Sequence, residues 1–274
     1  MAEENKIRDA ADAIKGIADS IPVYQDVVQP AAKEVGLALQ TIVKTIHIAL
    51  APIGALVWGY DQVKEFITAK LADKLRNIPQ DEIQTPPANV AGPILEALKY
   101  TGYQESLREL YANLLASSMD KMTALKAHPG FVEMIKQMTP DEADLMHFFA
   151  RGTPLPLINI RAKLKDGGGG LTILKHFSLF GFDAGCDYPE LTPSYLDNLC
   201  RLGLIEIPAY SYYTDKKLYE PLEDDKQIKE IIGQISKEAN KTPEVDRGRV
   251  EITELGAQFI TACVQDHLLL RANK

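Results

Sequence analysis

Five histidines, three cysteines and a run of four glycines are the groups in this chain best able to do chemistry, and spacing argues against each. His47, His128, His147, His176 and His267 never stand three or four residues apart. No His-Glu-x-x-His occurs, and no histidine lies at ligand distance in sequence from a cysteine, so no metal site is legible. His147 adjoins Phe148 and Phe149 on an apolar helix face and reads as a core or boundary histidine; His128, before Pro129, reads as a turn residue. The glycines of Asp166-Gly167-Gly168-Gly169-Gly170 are not followed by the Lys-Ser/Thr of a phosphate cradle, and they read as a flexible turn. Gly-x-Ser-x-Gly is missing, and Ser117 and Ser118 lie within a helix with no base beside them in sequence. No arginine has a histidine four to six residues beyond it, as helical ribonucleases require. Pro140-Asp141 and Asp224-Asp225-Lys226 are fragments of a metal-dependent nuclease pattern, too far apart to form one site, and read as charged helix faces. The expectation is a protein that is not an enzyme and needs no cofactor or metal.

Bulk properties agree with a binding role. The 274 residues include 46% hydrophobic and 25% charged, enough to bury a substantial core, and the formal net charge is −8. Such a chain is not drawn to a phosphate backbone unless a local basic patch forms. Cys186, Cys200 and Cys263 are odd in number, widely spaced and without Cys-x-x-Cys, which points to a reducing compartment and a cytoplasmic protein. Met1 to Ser20 is charged and carries no apolar signal region. Thr45 to Tyr60 has no formal charge, but His47, Pro52, Gly54 and Gly59 interrupt it, and it is shorter than the roughly 20 apolar residues that spanning needs.

The elements that must carry these residues are mainly helical. Ile7, Ala10, Ile14, Ile17 and Ile21 mark an amphipathic helix closed by Pro22, either docked on its own domain or used for homo-oligomerisation. A second helix from Pro30 is apolar nearly all round, with Gln40, Lys44 and His47 as a narrow polar stripe. Pro52 starts a third, with Val63, Ile67, Leu71 and Leu75 inward. The two form a hairpin that is either a bundle core or an arm able to insert into a membrane, the stripe then lining an oligomeric interior. Residues 1–78 make the first unit, 79–92 a Pro-rich linker, 93–152 a helical core and 153–274 a C-terminal domain. Within the core, Thr139-Pro140-Asp141-Glu142 is a capping box with proline at the first helical position.

The C-terminal part reads as an α+β, winged-helix-like domain after an N-terminal helical bundle. Leu155 to Leu164 alternates and is expected extended; Leu171 to Tyr188 resists assignment. A helix from Thr192-Pro193 ends at Gly203, strand Leu204 to Pro208 follows, and Gly248 to Ile252 returns before a last helix capped by Thr253. The segment between the strands is an insertion, helical near 222–240. On this reading Tyr195, Asn198 and Arg201 face outward for a partner or nucleic acid, and Arg247 and Arg249 reach a phosphate from the wing. One base and one acid on the helix are few for a DNA reader, so a DNA-binding regulator is the alternative to protein contact.

Three stretches carry a family likeness. They are Leu114-Leu115-Ala116-Ser117 with His128-Pro129-Gly130-Phe131-Val132 through Met138-Thr139-Pro140-Asp141-Glu142-Ala143; Leu196 to Glu206; and Ile252-Thr253-Glu254-Leu255-Gly256. From about Val23 to Val264 the chain resembles the abortive infection alpha family of bacterial proteins. The resemblance implies a bacterial host and a part in phage defence, in which the infected cell dies or arrests before progeny mature. It implies no catalytic or binding residue. The expected partner is a phage or host protein, with a membrane surface and a second copy as further possibilities.

Overall fold

The computed structural model describes residues 59–265. The amphipathic segment near residues 7–21, most of the hydrophobic hairpin and its stripe of Gln40, Lys44 and His47 lie outside the described residues. The described chain opens with α1 (Tyr60–Leu75), whose Val63, Ile67, Leu71 and Leu75 recur at helical spacing and are buried. A 3-10 turn at Gln80–Glu82 follows. Residues of 79–92 are stitched to the helical core: Gln84 N donates to Met119 O at 2.8 Å, and Lys121 N donates to Glu82 O at 2.9 Å.

Helix α2 (Ala88–Thr101) starts behind Pro87, five residues earlier than the Pro93 start expected from sequence, and carries Pro93 inside it. The hub is α3 (Glu105–Met119), buried from Leu110 to Met119 and packed against α1, α2 and the helices that follow. A turn at Ala124–Lys126 leads to α4 (Gly130–Lys136), then α5 (Pro140–Phe149). His128 behaves as a turn residue, its Nδ1 accepting from Gly130 N at 3.0 Å.

The chain then forms a hairpin, β1 (Pro156–Leu164) and β2 (Gly170–Phe177), joined by the glycine turn. Short α6 (Phe180–Ala184), a turn at Pro189–Leu191 and α7 (Thr192–Arg201) follow. Next come β3 (Ile205–Glu206), α8 (Glu220–Glu223), α9 (Lys226–Lys237), β4 (Lys241–Arg249), β5 (Glu251–Ile252) and α10 (Glu254–Phe259). A π-helical turn, Ile260–Val264, ends the described chain. Asn113 Nδ2 donates to Cys263 O and Ser117 Oγ to Ala262 O, both at 2.9 Å, so α3 fastens that turn.

The strands fall into two sheets, and the expected hairpin is shorter than its sequence implied. The strands after α7 do pair, Ile205 with Ile252 and Glu206 with Glu251, but the ladder is only those two pairs long. The longer return strand begins at Lys241 and pairs along β1 in the order β2-β1-β4, all antiparallel. Arg247 and Arg249 therefore oppose Ile158 and Pro156 of β1, not the strand after α7 as the sequence implied. The physical reason is burial. Ile158, Ile160 and Ala162 of β1 need a cover, and the inserted helices supply one: Tyr219, Leu222, Ile228 and Ile235 close a second apolar cluster on that face. The insertion is helical as expected, yet α9 is docked by Ile228 and Ile235 and is not solvated all round.

Among the described residues no helix is long and apolar enough to cross a membrane.

A candidate recognition groove

The helix expected to present contacts presents few. Tyr195 is 7% exposed, which corrects its expected outward position. Its hydroxyl donates to Asp141 Oδ2 at 2.8 Å. The same buried carboxylate accepts from Asp187 N and Tyr188 N, each at 2.9 Å. Burial and Asp141 keep the Tyr195 phenol protonated far above its ordinary range. Asn198 Nδ2 donates to Glu142 Oε1 at 2.7 Å and to Gln137 O at 3.0 Å. Exposed Arg201 donates to Asn198 Oδ1 and, at 2.9 Å, to Gln137 Oε1. One residue type at each position explains this clasp. Glu142 closes the capping box with Thr139 through its Oε2, which frees Oε1 for Asn198. Burial first, then Asp141, pushes the Cys186 thiol up to about 12.

The expected wing arginines are also engaged. Arg247 forks onto Glu223 through Nε at 2.6 Å and a terminal nitrogen at 3.0 Å, and lies 5.2 Å from the Tyr219 ring centre. Tyr219 OH donates to Gly248 O at 2.9 Å. Arg249 pairs with Glu251 and covers the Tyr213 ring at 5.4 Å. Both partners of the first pair are about 30% exposed, so solvent screens it only partly. A double-mutant cycle of Arg247→Met and Glu223→Gln, read by urea unfolding, is expected to give a coupling of about 1 to 2 kcal/mol. A coupling under about 0.3 kcal/mol would mean that the fork holds nothing together.

The other face of the same sheet forms a groove of 840 Å³. Asn159, Arg161 and Lys163, alternate residues of β1, make its floor with Glu244 and Asp246 of β4. Arg161 reaches Asp246 at 3.7 Å, and Lys163 pairs with Glu244, so the floor is a diagonal ladder of opposite charges. The rim is the loop after β3, where Tyr210 is 99% exposed and holds a positive φ of 61°, with Tyr212 also exposed. His176, at the far wall, has a φ of 57°, and its backbone N donates to Asn159 Oδ1 at 2.8 Å. Burial, then Lys175, lowers its pKa against the opposing pull of Asp197, whose Oδ1 lies 3.5 Å from Nδ1.

In the helical core Ser106 Oγ donates to Asp144 Oδ1 at 2.7 Å. Burial raises the Asp144 pKa and lowers that of His147 on the same helix. Among the described residues no group of three or more His, Cys, Asp or Glu side chains is placed to hold a metal ion.

Arg247, expected from sequence to reach a phosphate from a wing, lines the groove, whose floor and rim the sequence reading missed. The signal was present in two registers. Asn159, Arg161 and Lys163 alternate with Ile158, Ile160 and Ala162, while Glu244 and Asp246 alternate with Val245 and Arg247.

The family model described as abortive infection alpha matches residues 59–263. No curated protein matches the chain. A solved structure of an uncharacterized protein from the hydrocarbon-degrading marine bacterium Alcanivorax borkumensis SK2 is similar at 20% identity, covering 53% of this chain and 96% of its own, with a TM-score of 0.36. The family match runs from the cap of α1 into the π-helical turn, most of the chain, and the chain belongs to the abortive infection alpha family.

Proposed function

We propose that this chain is a non-enzymatic, abortive-infection-type defence protein that recognises a phage or host protein through the groove on the β2-β1-β4 sheet. The observation that carries the reading is the pairing of an exposed tyrosine rim with a floor bearing both signs of charge. Tyrosine offers contact area at small entropic cost, and a ladder of alternating charge selects a partner by its pattern rather than its sum. Family membership supports the defence role.

The alternative, a DNA-binding regulator, has less support. Tyr195, Asn198, Arg201, Arg247 and Arg249 all hold partners within the chain, and an arginine already forked onto a carboxylate releases few counterions. A membrane-acting hairpin rests on residues outside those described and forms no part of this reading.

Phage plated on cells carrying the gene, against cells lacking it, tests the proposal. Fewer plaques with reduced survival of infected cells are expected. Tyr210→Ser with Tyr212→Ser should cut protection at least roughly tenfold, since aromatic anchors each contribute on the order of 2 kcal/mol at interfaces. Both side chains are exposed, so the melting temperature should move by no more than about 1 °C. Full protection by the double variant would sink the groove as the recognition site.

A further inference from the structure

Two loops of the described fold expose large apolar side chains in opposite electrostatic settings. On α6 Phe182 is 65% exposed, and between α6 and α7 Tyr188 and Leu191 are also open to solvent. Asp183, Asp187 and Glu190 stand among them, and no Lys or Arg occurs between His176 and Arg201. After α3, Leu125 is 97% exposed and Met122 partly so, set between exposed Lys121 and Lys126. No Asp or Glu occurs from Lys121 to Val132.

Neither loop needs ordering before it can dock. Asp141 fixes the first by accepting from Asp187 N and Tyr188 N, and Gly185, at a φ of 79°, turns the chain there. The second is tied by Thr123 Oγ1 to Ser117 O at 2.9 Å and by Gln258 Nε2 to Lys126 O at 3.1 Å. Lys121 Nζ also donates to Asp81 O at 2.6 Å. Glu254 borders the second loop beside Lys126, and the turn carrying Asp81 and Glu82 borders it at Lys121.

We propose that copies of this chain associate head to tail, the aromatic and acidic loop of one seated on the leucine and lysine loop of the next. The proposal stands apart from the groove. The occupant is a second copy because the chain itself carries the complement in both charge and apolarity. Preorganised loops with aromatic anchors lose little entropy on docking. Two different patches make a heterologous contact, which propagates into a ring or a filament instead of closing as a dimer.

Light scattering on the full chain tests this. The molar mass should rise with concentration past two chains at up to about 100 μM, a range in which weak specific contacts are populated. It should fall as salt shortens the Debye length from about 14 Å to about 5 Å. Phe182→Ser/Asp183→Ser/Glu190→Ser and Leu125→Ser/Lys126→Ser should each weaken association at least tenfold while retaining the wild-type melting temperature. Their equimolar mixture keeps one intact patch of each kind and should stop at two chains. A wild-type mass that stays at one chain overturns the proposal, as does a mass that neither variant lowers, including assembly through residues 7–21 alone. A mixture that assembles as the wild type does overturns the head-to-tail order.

Discussion

Asp141→Ala is expected to lower the unfolding free energy by about 3 to 5 kcal/mol, because it strands the buried Tyr195 hydroxyl and takes the acceptor from two partly buried backbone donors. The carboxylate is 4% exposed and accepts from Asp187 N, Tyr188 N and the Tyr195 hydroxyl. For a unit of this size the melting temperature should drop on the order of 10 °C. Asp141→Asn keeps the volume and one oxygen but turns an NH2 toward one of the donors, so its loss should be smaller, about 2 kcal/mol. Tyr195→Phe removes a single bond and should cost about 1 kcal/mol. A buried carboxylate can also cost as much to desolvate as its hydrogen bonds return. Urea unfolding that finds Asp141→Ala within about 1 kcal/mol of the wild type would show that balance and remove the clasp as a source of stability.

The second large effect comes from a methyl group. A Cβ at Gly256 would overlap the carbonyl oxygen of Leu204, where α10 crosses the end of β3. Backbone cannot swing aside as a side chain does, so Gly256→Ala is expected to cost on the order of 3 kcal/mol or more. The same substitution at Gly233, inside α9 with open space around it, should stabilise by about 0.5 to 1 kcal/mol through helix propensity. Thermal unfolding of the two variants tests the contrast directly. Equal shifts would mean that α10 and β3 are not in close contact.

Much of the helical half could be read from the chain. Thr139 and Glu142 form the reciprocal cap expected of them because that motif is satisfied entirely by local hydrogen bonds. Periodicity placed α3 for the same reason, since its buried residues lie within a single element. Long-range pairing was less legible. Strand β2 exposes Leu171 and Ile173, so apolar residues appear on its solvent side and blur the alternation that marks a strand. The return strand lies beyond the insertion, and nothing local distinguishes pairing with β1 from pairing with β3. That choice is made by the face of β1 that needs cover. Tyr195 shows the same limit: helical spacing gives its direction, but only the distant Asp141 explains why that direction is inward. The groove required two strands far apart in sequence to be set side by side, which neither segment announces alone.

Strand β1 joins two environments along one face. Leu157 is buried in the main helical interior, while Asn159, Arg161 and Lys163 beyond it line the open groove. A strand advances about 3.3 Å per residue, so roughly 20 Å of a single strand spans both the packed helical interior at Leu157 and the charged floor out to Lys163.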